Sequence, residues 1–110
     1  MGGSNLFTGT LDLLILHTLS GTPKHGYLIG RWIRERTNGV LDVEEGVLYP
    51  ALHRLSKRGW IKGAWGETDT GRRARFYSLT QKGKRALARE SARWEEHVGA
   101  VGAVLRSSEV

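Results

Sequence analysis

The sequence predicts a mainly helical chain with one small β-hairpin, and three observations support that fold class. Apolar residues recur at helical spacing in the first half of the chain, most clearly Leu48, Leu52 and Leu55. A polar, glycine-containing stretch at 68–73 separates two short aromatic-rich segments, which is typical of a hairpin. The last third carries mainly apolar residues at alternating steps of four and three, which indicates a long helix. A chain of 110 residues can bury one compact core.

The composition excludes several kinds of chemistry. The chain has no cysteine, so disulfides, zinc–thiolate sites and thiol catalysis are excluded, which fits a reducing compartment. The longest apolar runs, such as Leu13–Leu16, are too short to cross a bilayer. We recognise no signal peptide, and we interpret residues 1–8 as a flexible leader.

A first helix is predicted from about Leu11 to Ser20, with Thr10 as its N-cap. Its residues are almost all apolar, so both of its sides need to be covered. One small domain covers one side. We therefore expect the other side, with Leu11 and Ile15, to meet a second subunit.

A second helix is predicted from about His25 to Thr37, because Asn38-Gly39 is a typical helix stop. His25 and Tyr27 lie at its start, where a DNA phosphate could meet both the helix N-terminus and a phenol hydroxyl. The alternative is that Tyr27 packs on the core and that His25 is a solvated turn residue.

A third helix is predicted to begin at about Val43, because Asp42 and Glu45 have the spacing of a capping box. Pro50 then lies inside it and conflicts with the carbonyl of Gly46, four residues back. Since Gly46 has no side chain and can yield, we expect a kinked or loosened first turn rather than a broken helix. A start at Leu48 would instead put Pro50 in the first turn.

The two faces of this third helix differ in chemistry. Leu48, Leu52 and Leu55 fall on one face, which suits a core. The opposite face is small near its start and then aromatic and basic, as a helix that enters a DNA groove needs to be. We interpret it as a recognition helix with these candidate DNA-binding residues: Gly46, Tyr49, Pro50, His53, Arg54 and Lys57.

The hairpin is predicted to pair residues 60–67 with residues 74–79. Its connection, 68–73, is polar and ends in Arg72-Arg73. Three helices followed by a hairpin with a cationic loop is the order of a winged helix-turn-helix, here assigned to residues 9–79. In that fold the third helix reads the major groove, while the hairpin loop contacts the flanking backbone or minor groove.

Positive charge is concentrated in one part of the chain. The net charge is +6, and the segment from His53 to Arg75 holds seven lysine and arginine residues against two carboxylates, Glu67 and Asp69. This clustering favours a nucleic-acid partner over a merely solvated basic face. The seven cations are Arg54, Lys57, Arg58, Lys62, Arg72, Arg73 and Arg75.

Residues 80–106 are predicted to form one long C-terminal helix with Thr80 as its N-cap, followed by a tail at 107–110. Such a helix could pack on its own domain, but its heptad spacing favours a dimerisation seam. Gly99 and Gly102 either weaken the helix or permit close helix approach. The seam consists of Leu87, Ser91, Trp94, Val98, Val101 and Leu105.

The sequence offers little basis for catalysis. Its histidines do not fall at metal-ligand spacings, and no glycine-rich phosphate-binding segment is present. Adjacent pairs such as Glu44-Glu45 diverge on a helix and suit the helix dipole or a solvated face. We expect no enzyme activity, no metal site and no cofactor.

The chain resembles the PadR-type transcriptional regulators, which are prokaryotic winged-helix repressors. The matching segments are GTLDLLILHTL (9–19), HGYLIGRWI (25–33), GVLYPALHRLSKRGWI (46–61), WGETDTGRRARFYSLTQKG (65–83) and Trp94. Together they cover the chain from about Gly9 to Val98, and the single C-terminal helix is similar to the compact subgroup of the family.

The resemblance implies a cytoplasmic, nucleoid-associated homodimer whose first and last helices form the interface. Its two recognition helices would address successive major grooves of a palindromic operator in double-stranded DNA. Tyr27, Tyr49, Pro50 and the Arg72-Arg73 wing coincide with positions that the family uses at DNA. Trp94 matches an interface tryptophan that, in a multidrug-sensing member, stacks on planar drugs; in other relatives it fills the interface.

The function expected from these features is a ligand-responsive, sequence-specific repressor with a planar aromatic effector at the dimer seam. A winged-helix module for protein contact or for non-specific coating of DNA is the alternative from a different class. A third possibility is a plain dimer interface that binds no effector.

Overall fold

The computed structural model describes the backbone of residues 2–109 and the side chains of residues 9–109. Within them the chain is mainly helical with one small antiparallel sheet, so the predicted fold class is confirmed. The elements in order are α1 (Gly2–Thr18), β1 (Lys24–His25), α2 (Gly26–Arg36), α3 (Glu45–Lys57), β2 (Ile61–Glu67), β3 (Arg73–Leu79) and α4 (Gln81–Arg106).

The start of α1 differs from the prediction. The helix begins at Gly2, so Thr10 lies inside it and the prediction that Thr10 caps it is wrong. The physical reason is that no proline precedes Pro23, and glycine alone does not forbid a helix. The side chains of the predicted leader, residues 1–8, lie outside the described part, so that domain boundary stays a prediction.

The sheet contains a strand that the sequence did not indicate. The strand order is β1-β3-β2, and all pairs are antiparallel. The hairpin of β2 and β3 was predicted and is found, with Ile61 opposite Leu79 and Trp65 opposite Arg75. The added strand β1 is only two residues long, Lys24 and His25, too short for an alternating pattern.

The core lies where α1, α2, α3 and the base of the hairpin meet. The apolar face of α3 with Leu48, Leu52 and Leu55 is almost completely buried, as predicted. Leu11 and Ile15 also belong to this core, and Ile15 has no exposed surface. The expectation that these two residues meet a second subunit is therefore corrected. Helix α4 of the same chain covers the second side of α1.

Among the residues whose side chains are described, the first turns of helix α4 attach it to the domain. The Thr80 hydroxyl accepts a hydrogen bond from the Gly83 backbone N–H at 3.0 Å and donates one to the Gly59 carbonyl at 2.6 Å, so the predicted N-cap is confirmed. A Cβ at Gly83 would collide with the Trp60 carbonyl, so only glycine permits this close approach. The buried residues of α4 are Gly83 and Ala86, and the helix then leaves the core. Of the described helices, none is long and apolar enough to span a membrane.

Candidate nucleic-acid interface

Helices α2 and α3 form a helix-turn-helix joined by residues 37–44. The turn reverses through left-handed residues, Asn38 at φ 52° and Gly39 at φ 81°, as the predicted helix stop requires. The backbone of Glu44 is extended, and its carbonyl accepts hydrogen bonds from the N–H groups of Val47 and Leu48. Helix α3 therefore begins shortly after a turn with a defined backbone conformation.

The start of α3 lies between the two alternatives that the sequence left open. The N-cap is Glu44, and no side chain caps the helix, so the predicted capping box is wrong. The extended backbone of Glu44, at ψ 153°, delays the first helical residue to Glu45. Pro50 lies inside the helix without breaking it. A Cβ at Gly46 would meet no atom within 4 Å, so the packing of the free chain does not require glycine there.

The predicted reading face of α3 is exposed. Gly46, Pro50, His53 and Lys57 are all open to solvent, and they lie opposite the buried leucine stripe. No carboxylate of the described residues lies within 4.0 Å of the Lys57 ammonium. The bare backbone at Gly46, the Pro50 ring, the His53 imidazole and the Lys57 ammonium therefore remain available to a partner along one side of the helix.

Tyr49 lies at the edge of this face and also has a structural contact. Its ring packs on Gly26 at the start of α2, and a Cβ at Gly26 would lie 2.8 Å from the phenol oxygen. The side chain is still 45% exposed. Partial burial, with smaller contributions from Glu45 and Tyr77, raises the pKa of Tyr49 above its ordinary value. The hydroxyl is therefore protonated at neutral pH and can donate a hydrogen bond to an acceptor.

Arg54 is not available in the way the sequence suggested. Its guanidinium donates two hydrogen bonds to Asp12 of α1, at 2.5 Å from Nη2 and 3.4 Å from Nε. Asp12 is almost buried, and Arg58 approaches its other oxygen at 3.6 Å. In the free chain the charge of Arg54 satisfies a buried carboxylate, so this geometry does not support a DNA contact by Arg54, which stays a prediction.

Tyr27 resolves one of the alternatives left open by the sequence. Its side chain is 61% exposed, so it is not a core residue. Its ring stacks on His25 at a centroid distance of 6.3 Å, and His25 in turn meets the Phe76 ring edge-on at 5.2 Å. His25 therefore belongs to β1 and to an aromatic contact rather than to a solvated turn, and it holds Tyr27 at the mouth of a groove.

The hairpin loop is a well-formed turn with free arginines. The Thr68 N–H donates to the Arg72 carbonyl at 2.8 Å, and the Arg72 N–H donates to the Thr68 hydroxyl at 3.1 Å. Gly71 takes φ 82°, which favours glycine. Arg72, Arg73 and Arg75 are exposed, and no carboxylate of the described residues lies within 4.0 Å of them.

A groove brings several of these residues together. It measures about 820 Å³ and runs between the hairpin loop and the starts of α2 and α3, where Tyr27, Arg72 and Arg73 all reach it. Its rim also carries Glu45 and Glu67. His53 and Lys57 lie farther along α3 and do not line it. The candidate surface therefore has two parts, the exposed side of α3 and the basic hairpin beside this groove.

Sequence reasoning missed one exposed residue of this surface, Trp65. The indole lies under two guanidinium groups, Arg73 at 4.6 Å and Arg75 at 5.9 Å from the ring centroid. The signal was present in the alternation of β2, but only the cross-strand register shows which arginines stand over the ring. Among the described residues, no cluster of three or more His, Asp or Glu side chains could hold a metal ion.

Helix α4 presents the predicted seam to solvent. Leu87 packs against the core, whereas Trp94, Val98, Val101 and Leu105 are exposed. Trp94 is 38% exposed and has a tilted contact with His97 at 6.1 Å. The outer part of α4 therefore carries an apolar stripe that the described part of the chain does not cover.

Comparisons with known proteins agree with this geometry. The model of the transcriptional regulator PadR-like family matches residues 15–89, well over half of the chain. A transcriptional regulator from Clostridium thermocellum is 31% identical, with 91% of this chain and 94% of that chain covered and a TM-score of 0.81. A PadR-like transcription factor from Bacteroides fragilis is 30% identical, with coverage of 93% and 96% and a TM-score of 0.77.

A curated protein from Lysinibacillus sphaericus, described as uncharacterized, is 31% identical over 93 residues, which is 84% of this chain and 85% of that protein. The members of the matched family are DNA-binding transcriptional regulators and not enzymes. This chain belongs to the PadR-like family of transcriptional regulators.

Proposed function

We propose that the protein is a homodimeric repressor that binds a palindromic operator and is released by a planar aromatic effector at the dimer interface. The observation that carries the proposal is the pairing of two exposed surfaces on one chain. One is the reading side of α3 beside free arginines, and the other is an uncovered apolar stripe on α4.

Base reading is assigned to the exposed side of α3. Tyr49 is a hydrogen-bond donor at neutral pH, His53 can donate to or accept from a base edge, and Gly46 lets the helix backbone approach closely. Pro50 adds a rigid apolar surface. These groups carry little charge, so they suit discrimination between bases more than overall affinity.

Affinity is assigned to cations without an internal partner. Arg72, Arg73 and Arg75 on the hairpin and Lys57 on α3 can each neutralise one phosphate. Tyr27, at the mouth of the groove and beside the N-terminus of α2, can donate to a further phosphate oxygen.

The dimer is inferred from α4. Trp94, Val98, Val101 and Leu105 form an exposed apolar stripe, and a contiguous exposed apolar surface is typical of a protein–protein contact. Burial of one such side chain contributes roughly 1.5–3 kcal/mol. A second α4 packed along the same stripe would bury both copies and fix the spacing of the two α3 helices, which sets the half-site spacing of the operator.

Effector binding is placed at Trp94 because its indole remains partly open next to His97. A planar aromatic cation stacked on this ring would change how the two α4 helices meet. Since each α4 is joined firmly to its own domain at Thr80 and Gly83, that change would alter the spacing of the reading helices and release the operator.

Selection from a random duplex pool tests the function. We expect enrichment of an inverted repeat, and strong binding without enrichment would instead support architectural coating of DNA. Titration of Trp fluorescence with planar aromatic cations, with Trp94→Phe as the control, tests the effector. A signal that persists in Trp94→Phe would place the effector elsewhere and contradict this part of the proposal.

A further inference from the structure

The wing of the protein, residues 61–79, carries an exposed indole to which the proposed function gives no role. Trp65 is 59% exposed and lies on β2, directly opposite Arg75 in the register. Its ring stands 4.6 Å from the Arg73 guanidinium and 5.9 Å from that of Arg75. Two cation–π contacts restrain this indole, whereas an exposed side chain without contacts would be free to rotate.

The strand register explains how the three side chains meet. Directly opposed residues of an antiparallel pair lie on the same face of the sheet, so Trp65 and Arg75 share a face. Arg73 follows on that face two residues along β3. Gly63 on the same face lies against the Arg75 guanidinium, where a Cβ would collide with it. The missing side chain lets the Arg75 guanidinium lie over Gly63, on the same face as Trp65.

The charge of this cluster is not neutralised within the described residues. No carboxylate lies within 4.0 Å of Arg73 or Arg75, although Glu67 stands opposite Arg73 in the register. Stacking on the ring restrains the long side chains, which reduces the entropy lost when they bind an anion. The cluster therefore offers an apolar ring with two positive charges stacked over it.

The minor groove of duplex DNA has the complementary arrangement. Its walls are apolar deoxyribose edges, and its two rims are lines of phosphates. Proteins that bind there combine arginine with apolar side chains, and a narrow A·T-rich groove attracts arginine most strongly. Ala74 and Phe76, on the other face of the hairpin, line the groove beside α2 and α3. A minor groove that takes up the loop at Arg72 would have its second wall against the face of Trp65.

We propose that Trp65, which lies under Arg73 and Arg75, is a further DNA contact. The indole packs on deoxyribose edges of the minor groove beside a half-site, while the two guanidinium groups bind the flanking phosphates. This inference rests on the proposed DNA-binding function and extends it, because the wing then prefers A·T-rich sequence outside the part read by α3.

The first test compares substitutions by affinity and by salt dependence on a duplex of about 30 base pairs, roughly three helical turns. Trp65→Ala is expected to bind about tenfold more weakly with an unchanged salt slope, because apolar burial releases no counterions. Arg73→Ala is expected to reduce the slope by about 0.9 per subunit. If Trp65→Ala reduced the slope in the same way, the indole would only position the arginines, and the proposed contact would be wrong.

The second test measures the accessibility of the indole directly. Acrylamide quenching of the Trp65 signal, obtained as the difference between the wild type and Trp65→Phe, should decrease when the duplex is added. The matched control is the Trp94 signal, obtained with Trp94→Phe, which should not decrease. If the duplex binds while Trp65 stays equally quenched, this inference fails and the proposed function stands. If the wild type binds no duplex even at low salt, both fail.

The third test identifies the groove. Duplexes are compared whose flanks contain A·T, G·C or inosine·cytosine pairs, since inosine lacks the minor-groove amino group of guanine. Binding to inosine·cytosine flanks should match binding to A·T flanks in the wild type, and the preference should shrink in Trp65→Ala. Binding that follows G·C flanks instead would overturn a minor-groove contact.

Discussion

Gly46 provides the sharpest test of the reading face, because stability and DNA binding should change in opposite directions there. It is the second residue of α3, it is exposed, and a Cβ at this position would meet no atom within 4 Å. Gly46→Ala therefore introduces no clash in the free protein. It should raise the free energy of unfolding by about 0.4–1 kcal/mol, because the unfolded chain loses freedom.

For a chain of this size that gain corresponds to a rise in Tm of about 2–6 °C. On DNA the same methyl group would stand between the helix and the groove, and we expect binding about tenfold weaker, equivalent to about 1.4 kcal/mol. Thermal unfolding at one fixed protein concentration and fluorescence anisotropy with labelled operator measure the two effects. A fixed concentration matters because association of subunits shifts Tm.

Gly99→Ala is the matched control for this experiment. Gly99 is also an exposed helical glycine where a Cβ would meet no atom within 4 Å, but it lies on α4, next to the seam residue Val98 and outside the predicted seam itself. The substitution should raise Tm by a similar amount and leave DNA affinity unchanged. If Gly46→Ala raised Tm but left DNA affinity unchanged, Gly46 would not face the DNA. A fall in the Tm of Gly46→Ala would contradict the conclusion that a Cβ at the start of α3 meets no other atom.

Three further predictions concern the support of α3, the dimer and the phenol of the reading face. Asp12→Asn should lower the free energy of unfolding by about 1–3 kcal/mol in urea denaturation, a value reduced by the one-third exposure of Arg54; an unchanged midpoint would contradict this. Val101→Glu should halve the mass in sedimentation with unchanged circular dichroism, and a persistent dimer would place the interface elsewhere. The raised pKa of Tyr49 means that its stabilising contribution is present below pH 10.0 and is lost as pH rises through the folded-state value. The absorbance difference between the wild type and Tyr49→Phe should therefore titrate above pH 10.0, and titration at or below it would refute the packing against Gly26.

Local patterns in the sequence predicted those features that depend on a few neighbouring residues. The leucine spacing of α3 gave its buried and exposed faces, since helical period alone decides them. Thr80 was recognised as a cap because it stands directly between a strand and a helix, whereas the same argument failed at Thr10 because α1 extends back to Gly2. The hairpin followed from its polar loop. The proposed capping box failed because the backbone at Glu44 is set by the preceding turn and not by the spacing of acids.

Features that depend on distant partners could not be predicted in this way. Asp12 and Arg54 are 42 residues apart, and only the fold brings them together. The cover of α1 by α4 likewise joins the two ends of the chain, which is why Ile15 was assigned to a partner and is found in the core. Trp65 was overlooked because its meaning depends on the register that places Arg75 opposite it.

The basic residues of α3 and those of the wing differ in whether they have a carboxylate partner. Of the cations clustered in the sequence, Arg54 and Arg58 are committed to Asp12, so α3 keeps Lys57 as a free cation on its reading side. The arginines of this cluster that have no carboxylate within 4.0 Å lie on the wing. We therefore expect the wing to supply most of the salt-dependent affinity and α3 to supply shape and hydrogen bonds. Since Asp12 belongs to α1, and α1 also packs against α4, the proposed reading helix α3 and the proposed dimerisation helix α4 are attached to the same helix. If a change in the contact between two α4 helices moved α4, then α1 and α3 would move together with it, without any rearrangement of the core.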